Sequence, residues 1–404
     1  MAVYTIRQKM EQTITNPVQH NKGESNNKVV ALLATGHVVN DSYMNFFQPL
    51  LPLLISIMGL SLAQVGLITT FFSVTSSISQ IIIGRITDRL GTRSFVFLGP
   101  LLAAVMMSSI GLIDNYILLL VVVSLAGLGI AAFHPPASAI VGHTNTRKSG
   151  QAMSLFSLGG NIGFAAMPLL VVPLVSTFGL SVTPALAIPG LAVSLLLYRL
   201  TPAVTHHSTG RPDSFLAAAR SQRAAFIGLL GTVAFRSLTF FSLTTFIPIL
   251  LTGRGYSLLE SGALLSVLAF SGAFGGLAGG IISDRTGPKP VIITSLTLTV
   301  PFLLLAFASQ GFLLIAGLSL AGASLLASFS VAVVAAQRIF PDNRATASSL
   351  ALGFGLGLGG LGVGLISYTA DVFALGIEQT VMIVSFLPLV AAAFASGLPG
   401  KEVV

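Results

Sequence analysis

Polar side chains interrupt an apolar run near the start of the chain, in the stretch GHVVNDSYMNFFQPLLPLL that begins at Gly36. His37 and Asp41 are four residues apart, so they share one face of a helix. Three amides extend the same polar stripe: Asn40, Asn45 and Gln48. A carboxylate in such a run can take up and release a proton, and a neighbouring histidine can share it. The stripe predicts a proton-coupling and binding site; the alternative is a structural cluster in which His37 bonds Asp41.

The elements that must position this stripe are transmembrane helices. Only 8% of the 404 residues are charged, against about a quarter in soluble domains, and 53% are hydrophobic. Apolar runs of about 20 residues, the length that crosses a bilayer, recur from Val29 onward. We predict an all-α polytopic membrane protein with about twelve spans: 29–58, 61–83, 94–113, 115–140, 149–176, 181–199, 223–251, 258–282, 290–309, 311–337, 345–370 and 376–397. Asp41 then lies roughly 18 Å into the first span, where an acid cannot face lipid.

The distribution of basic residues orients the predicted spans. An even number of spans places both termini on one side, and every Lys and Arg except Arg236 and Arg254 falls on that side. The positive-inside rule makes it the cytoplasmic side. The net charge of +8 is therefore a consequence of topology, and nucleic-acid binding is not expected. The predicted organisation is a cytoplasmic N-terminal segment (1–28), a six-helix bundle (29–200), a cytoplasmic linker (201–222), a second six-helix bundle (223–397) and a cytoplasmic tail (398–404).

An internal repeat supports the division into two bundles. GRITDRLGTR, beginning at Gly84, matches GGIISDRTGPK, in which Gly280 is the equivalent residue 196 positions later. The same offset relates Asp88 to Asp284, Arg89 to Arg285, Gly91 to Gly287 and Arg93 to Lys289. It also relates Gly159 to Gly355 and Gly163 to Gly359, which we predict to be helix-packing positions. Two parallel six-helix repeats are the simplest interpretation.

These motifs carry a resemblance to a known family. The repeated glycine, aspartate, arginine and glycine pattern between helices 2 and 3 of each half resembles the signature of the major facilitator superfamily. Four further stretches resemble its fosmidomycin-resistance branch of bacterial exporters: HVVND at His37, GLGIAAFHP ending at Pro135, SLFSLGGNIG ending at Gly163 and GFGLGLGGLG from Gly353. The resemblance implies a monomeric transporter of the bacterial cytoplasmic (inner) membrane that works by alternating access. It also implies efflux of a toxic compound in exchange for protons.

The resemblance further implies a conformational latch at the repeated motif. Its predicted members are Gly84, Asp88, Arg89, Arg93, Gly280, Asp284, Arg285 and Lys289. The two aspartates can accept hydrogen bonds from the N-terminal amides of a helix in the opposite half, while the basic residues pair with acids or lipid phosphates. Simple charged loop anchors are the alternative.

Arg236 lies thirteen residues into the seventh span and is the second charge predicted to lie deep in the bilayer. Subtracting the repeat offset places it at position 40, beside Asp41, so we expect the two to meet or to share a substrate between the halves. An arginine there would hold an anionic group, with a structural ion pair as the alternative. His134, before Pro135, is either a proton relay or a partner of the helix kink. Gln337 and Phe240 complete the predicted substrate-binding set.

Several classes of protein have no support in the sequence. There is no Walker motif, nucleophile elbow, HExxH or sequence-clustered set of metal ligands, so we expect no enzyme activity, cofactor or metal. The expected partners are a small-molecule substrate, protons and membrane lipids. Two other functions stay open: a proton-coupled uptake symporter for a metabolite or metal chelate, and a non-transporting membrane sensor on the same fold.

Overall fold

The computed structural model describes residues 18–90, 93–144, 149–202, 218–341, 347 and 350–400. Within these ranges it leaves undescribed the side chains of residues 18–26, 81, 85, 88–90, 143, 144, 149–151, 352 and 354. Most of the predicted linker, the end of the predicted tail and Gly91 therefore lie outside the described residues, as do the side chains of Asp88 and Arg89.

The described chain is helical and contains no β-strand, which confirms the all-α prediction. The helices of the first half are α1 (Val18–Ser42), α2 (Leu51–Met58), α3 (Leu62–Leu90), α4 (Arg93–Ser108), α5 (Tyr116–Thr144), α6 (Ser149–Phe178) and α7 (Ala187–Leu200). Those of the second half are α8 (Arg223–Gly253), α9 (Leu258–Thr286), α10 (Pro288–Ala308), α11 (Gly311–Ile339), α12 (Gly355–Val372), α13 (Ile377–Val384) and α14 (Leu387–Ala395).

Ten helical segments among the described residues are long and apolar enough to cross a membrane. The other two predicted spans are helical but irregular. The eleventh consists of a π-helical turn, Leu350–Phe354, that continues into the glycine-rich α12. The first consists of α1 and α2, joined by the 3₁₀ turns Tyr43–Asn45 and Gln48–Leu50. Pro49 and Pro52 explain this break, because a proline lacks the N–H that a continuous helix requires.

The buried apolar side chains form separate cores in the two halves. Two clusters draw their buried members from residues 30–197, and the third draws its members from residues 219–398. Large apolar side chains cover the outside of both halves, with Phe312 at 79% and Phe274 at 70% exposed. An outer surface of this kind suits hydrocarbon and not water.

The predicted packing glycines lie at equivalent helix crossings. In the first half, a Cβ on Gly159 would be 2.6 Å from the Ala34 carbonyl oxygen of α1. In the second half, a Cβ on Gly359 would be 2.6 Å from the backbone of Ser237 in α8. Added side chains would also overlap Val38 at Gly163 and Val233 at Gly355. The missing side chains thus let α6 approach α1, and α12 approach α8, at backbone distance.

Polar contacts join the halves along the first part of α3. The Ala63 amide donates to Asp371 Oδ2 at 2.7 Å, and Thr70 Oγ1 donates to the Gly360 carbonyl at 2.8 Å. The Thr69 and Thr245 hydroxyls are 3.0 Å apart. These contacts lie toward the end of the bundle that holds the loop between α2 and α3, which we call the first-loop end. The structure is therefore closed between the halves at the first-loop end.

Candidate functional site

The three side chains predicted for proton coupling lie together. Asp41 is the common partner, with Oδ2 3.1 Å from His37 Nε2 and Oδ1 3.3 Å from His134 Nε2. The first two residues belong to α1, and His134 comes from α5, which packs against it. Their side chains are 10% (His37), 13% (Asp41) and 21% (His134) exposed. This group, the His–Asp cluster, is thus nearly buried but retains some access through His134.

The orientation of the His37 ring fixes which nitrogen faces the acid. His37 Nδ1 lies 2.7 Å from the Phe156 carbonyl oxygen in α6, and the Phe156 ring stacks on the imidazole at 4.1 Å between centroids. A carbonyl only accepts, so Nδ1 carries a hydrogen, and in a neutral ring Nε2 presents a lone pair. That lone pair faces the Asp41 carboxylate, which is also an acceptor. The contact therefore requires a cation between the two atoms, either a proton or a metal ion.

The three amides of the stripe have different surroundings. Asn40 Nδ2 donates to Asp41 Oδ1 at 3.1 Å, so this residue belongs with the cluster. Asn45 donates to the Phe164 carbonyl of α6 at 2.9 Å, and Gln48 donates at 3.0 Å to the Met44 carbonyl in the preceding 3₁₀ turn. The amide oxygens of all three are buried and have no hydrogen-bond partner among the described residues. They are thus acceptors for a donor that the described residues do not supply.

Arg236 and Asp41, which we expected to meet or to share a substrate, form no ion pair with each other in the structure. The Arg236 side chain is 2% exposed; Nη2 donates to Ser237 Oγ at 3.1 Å, and the guanidinium lies 4.5 Å above the centre of the Phe329 ring. Its Nη1 has no hydrogen-bond partner, and no acid pairs with it among the described residues. Asp41 has the two histidines instead. The cation–π contact with the Phe329 ring compensates for only part of the hydration that the buried guanidinium has lost. The guanidinium can therefore still bind an anion.

The two remaining predicted binding residues lie apart in the fold. Phe240 of α8 is partly buried, with its ring 5.5 Å from that of Phe164 in α6, so it lies where the halves meet. Gln337 is partly buried near the end of α11 and has a polar partner.

Gly160 is a residue of the site that the sequence analysis did not single out. A Cβ there would lie 2.5 Å from His37 Nε2 and 2.7 Å from Asp41 Oδ2. Its missing side chain thus provides the space in which the ring and the carboxylate meet. The stretch SLFSLGGNIG contains it between two packing glycines, but the sequence alone does not indicate which of them faces the acid.

The described latch residues make contacts within their own halves. Arg93 donates to the Tyr198 carbonyl at 2.7 Å, and Lys289 donates to the Ser396 carbonyl at 2.6 Å. Each basic side chain thus binds a carbonyl at the end of the last helix of its own half, a favourable position for a cation. Gly84 approaches Pro135 of α5, with 3.8 Å from an added Cβ to the proline, and a Cβ on Gly280 would lie 4.0 Å from Ser330. Asp284 and Arg285 are exposed at the end of α9.

Comparison with known proteins gives consistent matches. The family model described as Major Facilitator Superfamily matches residues 33–361. The fosmidomycin resistance protein of Escherichia coli K12 is 26% identical over 372 residues, 89% of this chain and 90% of that protein. An uncharacterized MFS-type transporter of Bacillus subtilis 168, YfnC, is 28% identical over 94% of this chain and 93% of its own length. A bacterial homologue of the human lysosomal transporter Spinster, solved inward-facing and unoccupied, superposes with a TM-score of 0.73 at 21% identity, covering 94% of this chain and 99% of that one.

Proposed function

This chain belongs to the major facilitator superfamily, and on that premise we propose that it exports a small anionic or amphipathic compound in exchange for protons. The family makes the chain a multi-pass membrane transporter and not an enzyme. The similarity to a fosmidomycin resistance protein supports export. The observation that supports proton coupling most directly is the His–Asp cluster, a nearly buried acid held by two imidazoles.

The proton is held between His37 and Asp41. Because His37 Nδ1 is committed to the Phe156 carbonyl, the 3.1 Å contact between Nε2 and Asp41 Oδ2 needs one further proton. When that proton leaves, an uncompensated carboxylate remains at bilayer depth, which is costly. Loss of the proton therefore favours a rearrangement that gives Asp41 water or another partner. Such a link between proton occupancy and conformation is what coupled exchange requires.

Arg236 supplies the binding charge for the substrate. Its buried guanidinium has an unpartnered Nη1 and no acidic partner among the described residues, so a carboxylate, phosphate or phosphonate oxygen would satisfy it. Phe240, at the boundary of the halves, would contact an apolar part of the same compound. This arrangement favours an organic anion over a cation.

Alternating access would operate by opening the first-loop end. By the positive-inside rule that end would lie outside the cytoplasm, with both termini inside. The similarity to a protein of Escherichia coli supports a location in the bacterial inner membrane. Opening outward would separate α3 from α12 and break the bond between the Ala63 amide and Asp371. An acid that accepts from the first turn of a helix is stabilised by the helix dipole as well as by the hydrogen bond. Asp371 is thus proposed as an outer latch.

Replacing Asp371 with alanine is expected to shift the protein toward the outward-open state. A charge-assisted bond of this kind contributes about 1.5 kcal/mol, so its loss would change the ratio of the two states about tenfold. The chain contains no cysteine, so in the double variant Thr69→Cys, Thr245→Cys an intramolecular disulfide can form only between these two positions. Oxidative cross-linking of this pair should slow in the Asp371→Ala background and keep its rate with Asp114→Ala, an exposed acid in a loop at the same end. Equal rates in the two backgrounds would remove Asp371 as a latch.

Export itself is tested by growth inhibition and vesicle transport. Susceptible bacteria with and without the protein are exposed to fosmidomycin and a panel of other toxic anions, and protection identifies a substrate. Everted vesicles that carry the protein should then accumulate that compound when the lumen is made acidic, and a pH gradient of the opposite sign should drive release. Accumulation by intact cells along an inward proton gradient would establish the uptake symporter instead. A purified protein that no panel compound stabilises, together with an absence of flux in either direction, would favour the sensor.

A further inference from the structure

The His–Asp cluster has the ligand atoms and spacing of a transition-metal site. His37 Nε2, His134 Nε2 and one Asp41 oxygen lie within 4.8 Å of one another. In a tetrahedral zinc site with bonds of about 2.1 Å, neighbouring ligand atoms are about 3.4 Å apart. Asp41 approaches the two histidines through different oxygens: Oδ2 lies 3.1 Å from His37 Nε2 and Oδ1 lies 3.3 Å from His134 Nε2. A divalent ion can therefore contact the acid and the histidines after a small adjustment of the partly exposed His134 ring.

The support around His37 is of the kind found behind metal ligands. A metal-bound histidine normally donates its second ring N–H to a carbonyl or carboxylate, which fixes the tautomer and aims the free nitrogen at the ion. His37 Nδ1 makes this bond to the Phe156 carbonyl at 2.7 Å, and stacking on the Phe156 ring restrains rotation. The lone pair that faces Asp41 is thus fixed in place by α6. Gly160 keeps the space beside both ligand atoms free of a side chain.

Charge and access also suit a divalent ion. The ligand set contains one carboxylate and two neutral imidazoles, a mixture that zinc and its neighbours in the first transition row accept and that magnesium and calcium do not prefer. His134 is 21% exposed, so the third ligand is the one through which an ion can enter. Three protein ligands leave one tetrahedral position for water or for an anionic group of a bound compound.

We propose that His37, Asp41 and His134 bind a divalent transition-metal ion of the zinc class, held between α1 and α5. The ion takes the place of the proton between His37 and Asp41, so bound metal and the coupling proton exclude each other. This assignment rests on the ligand geometry and not on the direction or substrate of transport. It departs from our expectation of no metal site, because that expectation considered only ligands clustered in the sequence.

Cobalt(II) binding to the purified full-length protein, without an affinity tag that contains histidine, tests the proposal. We expect one Co²⁺ per chain with the visible absorption of four- or five-coordinate cobalt, displaced by Zn²⁺ and not by Mg²⁺. His37→Gln, Asp41→Asn and His134→Gln should each weaken binding at least tenfold. The double variant His206→Gln, His207→Gln should retain wild-type binding, since neither histidine is one of the three proposed ligands. Binding that survives in all three cluster variants would place the ion elsewhere and overturn the proposal.

A gain-of-signal variant guards against loss of binding through misfolding. The protein has no cysteine, so a thiolate-to-cobalt charge-transfer band in His134→Cys can arise only from a ligand at position 134. We expect that band in His134→Cys and its absence in Ser138→Cys, one turn further along α5. A folded His134→Cys protein that binds Co²⁺ without the band would exclude His134 from the metal site.

Discussion

Replacing Asp41 with asparagine is expected to abolish coupled transport while leaving the protein folded. Asparagine keeps the size of the side chain, and its amide N–H can donate to the lone pair on His37 Nε2. It cannot release a proton, so the charge difference between the loaded and unloaded states disappears. Cells that express Asp41→Asn should be as sensitive to an exported compound as cells without the protein. Proteoliposomes should show no substrate-driven proton movement.

Stability separates this effect from misfolding. Asparagine fills the same space and keeps a hydrogen bond to His37, so the thermal midpoint in detergent should stay close to that of the wild type. Asp114→Asn, an exposed loop acid, is the matched control and should transport normally. Protection that survives Asp41→Asn would keep the protein as an exporter but exclude Asp41 as its proton carrier. A lowered midpoint with intact proton flux would favour a structural role for the cluster.

The broad architecture could be predicted from the sequence because the bilayer imposes it. Only helices and closed barrels satisfy their backbone in hydrocarbon, and runs of about 20 apolar residues select the helix. The interruption of the first span was harder to predict from the sequence. We predicted one span over 29–58, although Pro49 and Pro52 lie within it, and the two 3₁₀ turns depend on packing against other helices. The chain is already helical at Val18, where the described residues begin, so α1 extends through polar residues before the predicted Val29.

The contact between His37 and Asp41 could be predicted from the sequence, whereas the contact between Asp41 and His134 could not. His37 and Asp41 are four residues apart on one helix, so local geometry brings them together. His134 reaches them only because of how α5 rotates and packs, and an almost uniformly apolar helix gives no signal for which face turns inward. For the same reason, the sequence could not indicate that Gly160 lies on the helix face that contacts Asp41. A lone histidine beside two prolines was therefore open to more than one interpretation.

The residue of the first half that we took as equivalent to Arg236 was wrong for a specific reason. The latch motif and the packing glycines repeat every 196 residues, and we applied that offset to α1 and α8. The helix crossings instead pair Ala34 with Val233, and Val38 with Ser237. By these contacts Arg236 is the counterpart of His37, not a neighbour of Asp41. A difference of three residues between the loops of the two halves is enough to turn a side chain to another face of its helix.

The chemistry predicted for the latch occurs at the other end of the molecule. Asp88 and Asp284 were expected to accept from helix N-termini across the halves, and that is the contact that Asp371 makes with Ala63. Asp371 lies outside any repeated motif, so a search for repeats could not find it. The basic partners Arg93 and Lys289 bind helix-end carbonyls within their own halves. A charge motif thus predicts the kind of contact more reliably than its partner.

Replacing Gly160 with alanine is expected to abolish coupling without changing any charge. The added methyl would lie 2.5 Å from His37 Nε2 and 2.7 Å from Asp41 Oδ2, closer than any unstrained contact. The ring and the carboxylate must therefore shift away from position 160, and we expect this shift to break the contact that holds the proton. Overpacking of this kind costs about 1–3 kcal/mol, so a modest fall in the thermal midpoint should accompany a complete loss of proton-driven transport.

Two neighbouring variants separate the site from general packing. Gly142→Ala in α5 places a methyl where no atom of the described residues lies within 4 Å and should transport normally, with a small gain in helix stability. Gly163→Ala would drive its methyl into the Val38 carbonyl and should lower the thermal midpoint more than Gly160→Ala does, because a helix backbone yields less than a side chain. Wild-type proton flux in Gly160→Ala would mean that the His37–Asp41 contact is dispensable. If proton flux falls in proportion to the thermal midpoint in all three variants, the role of Gly160 would be helix packing alone.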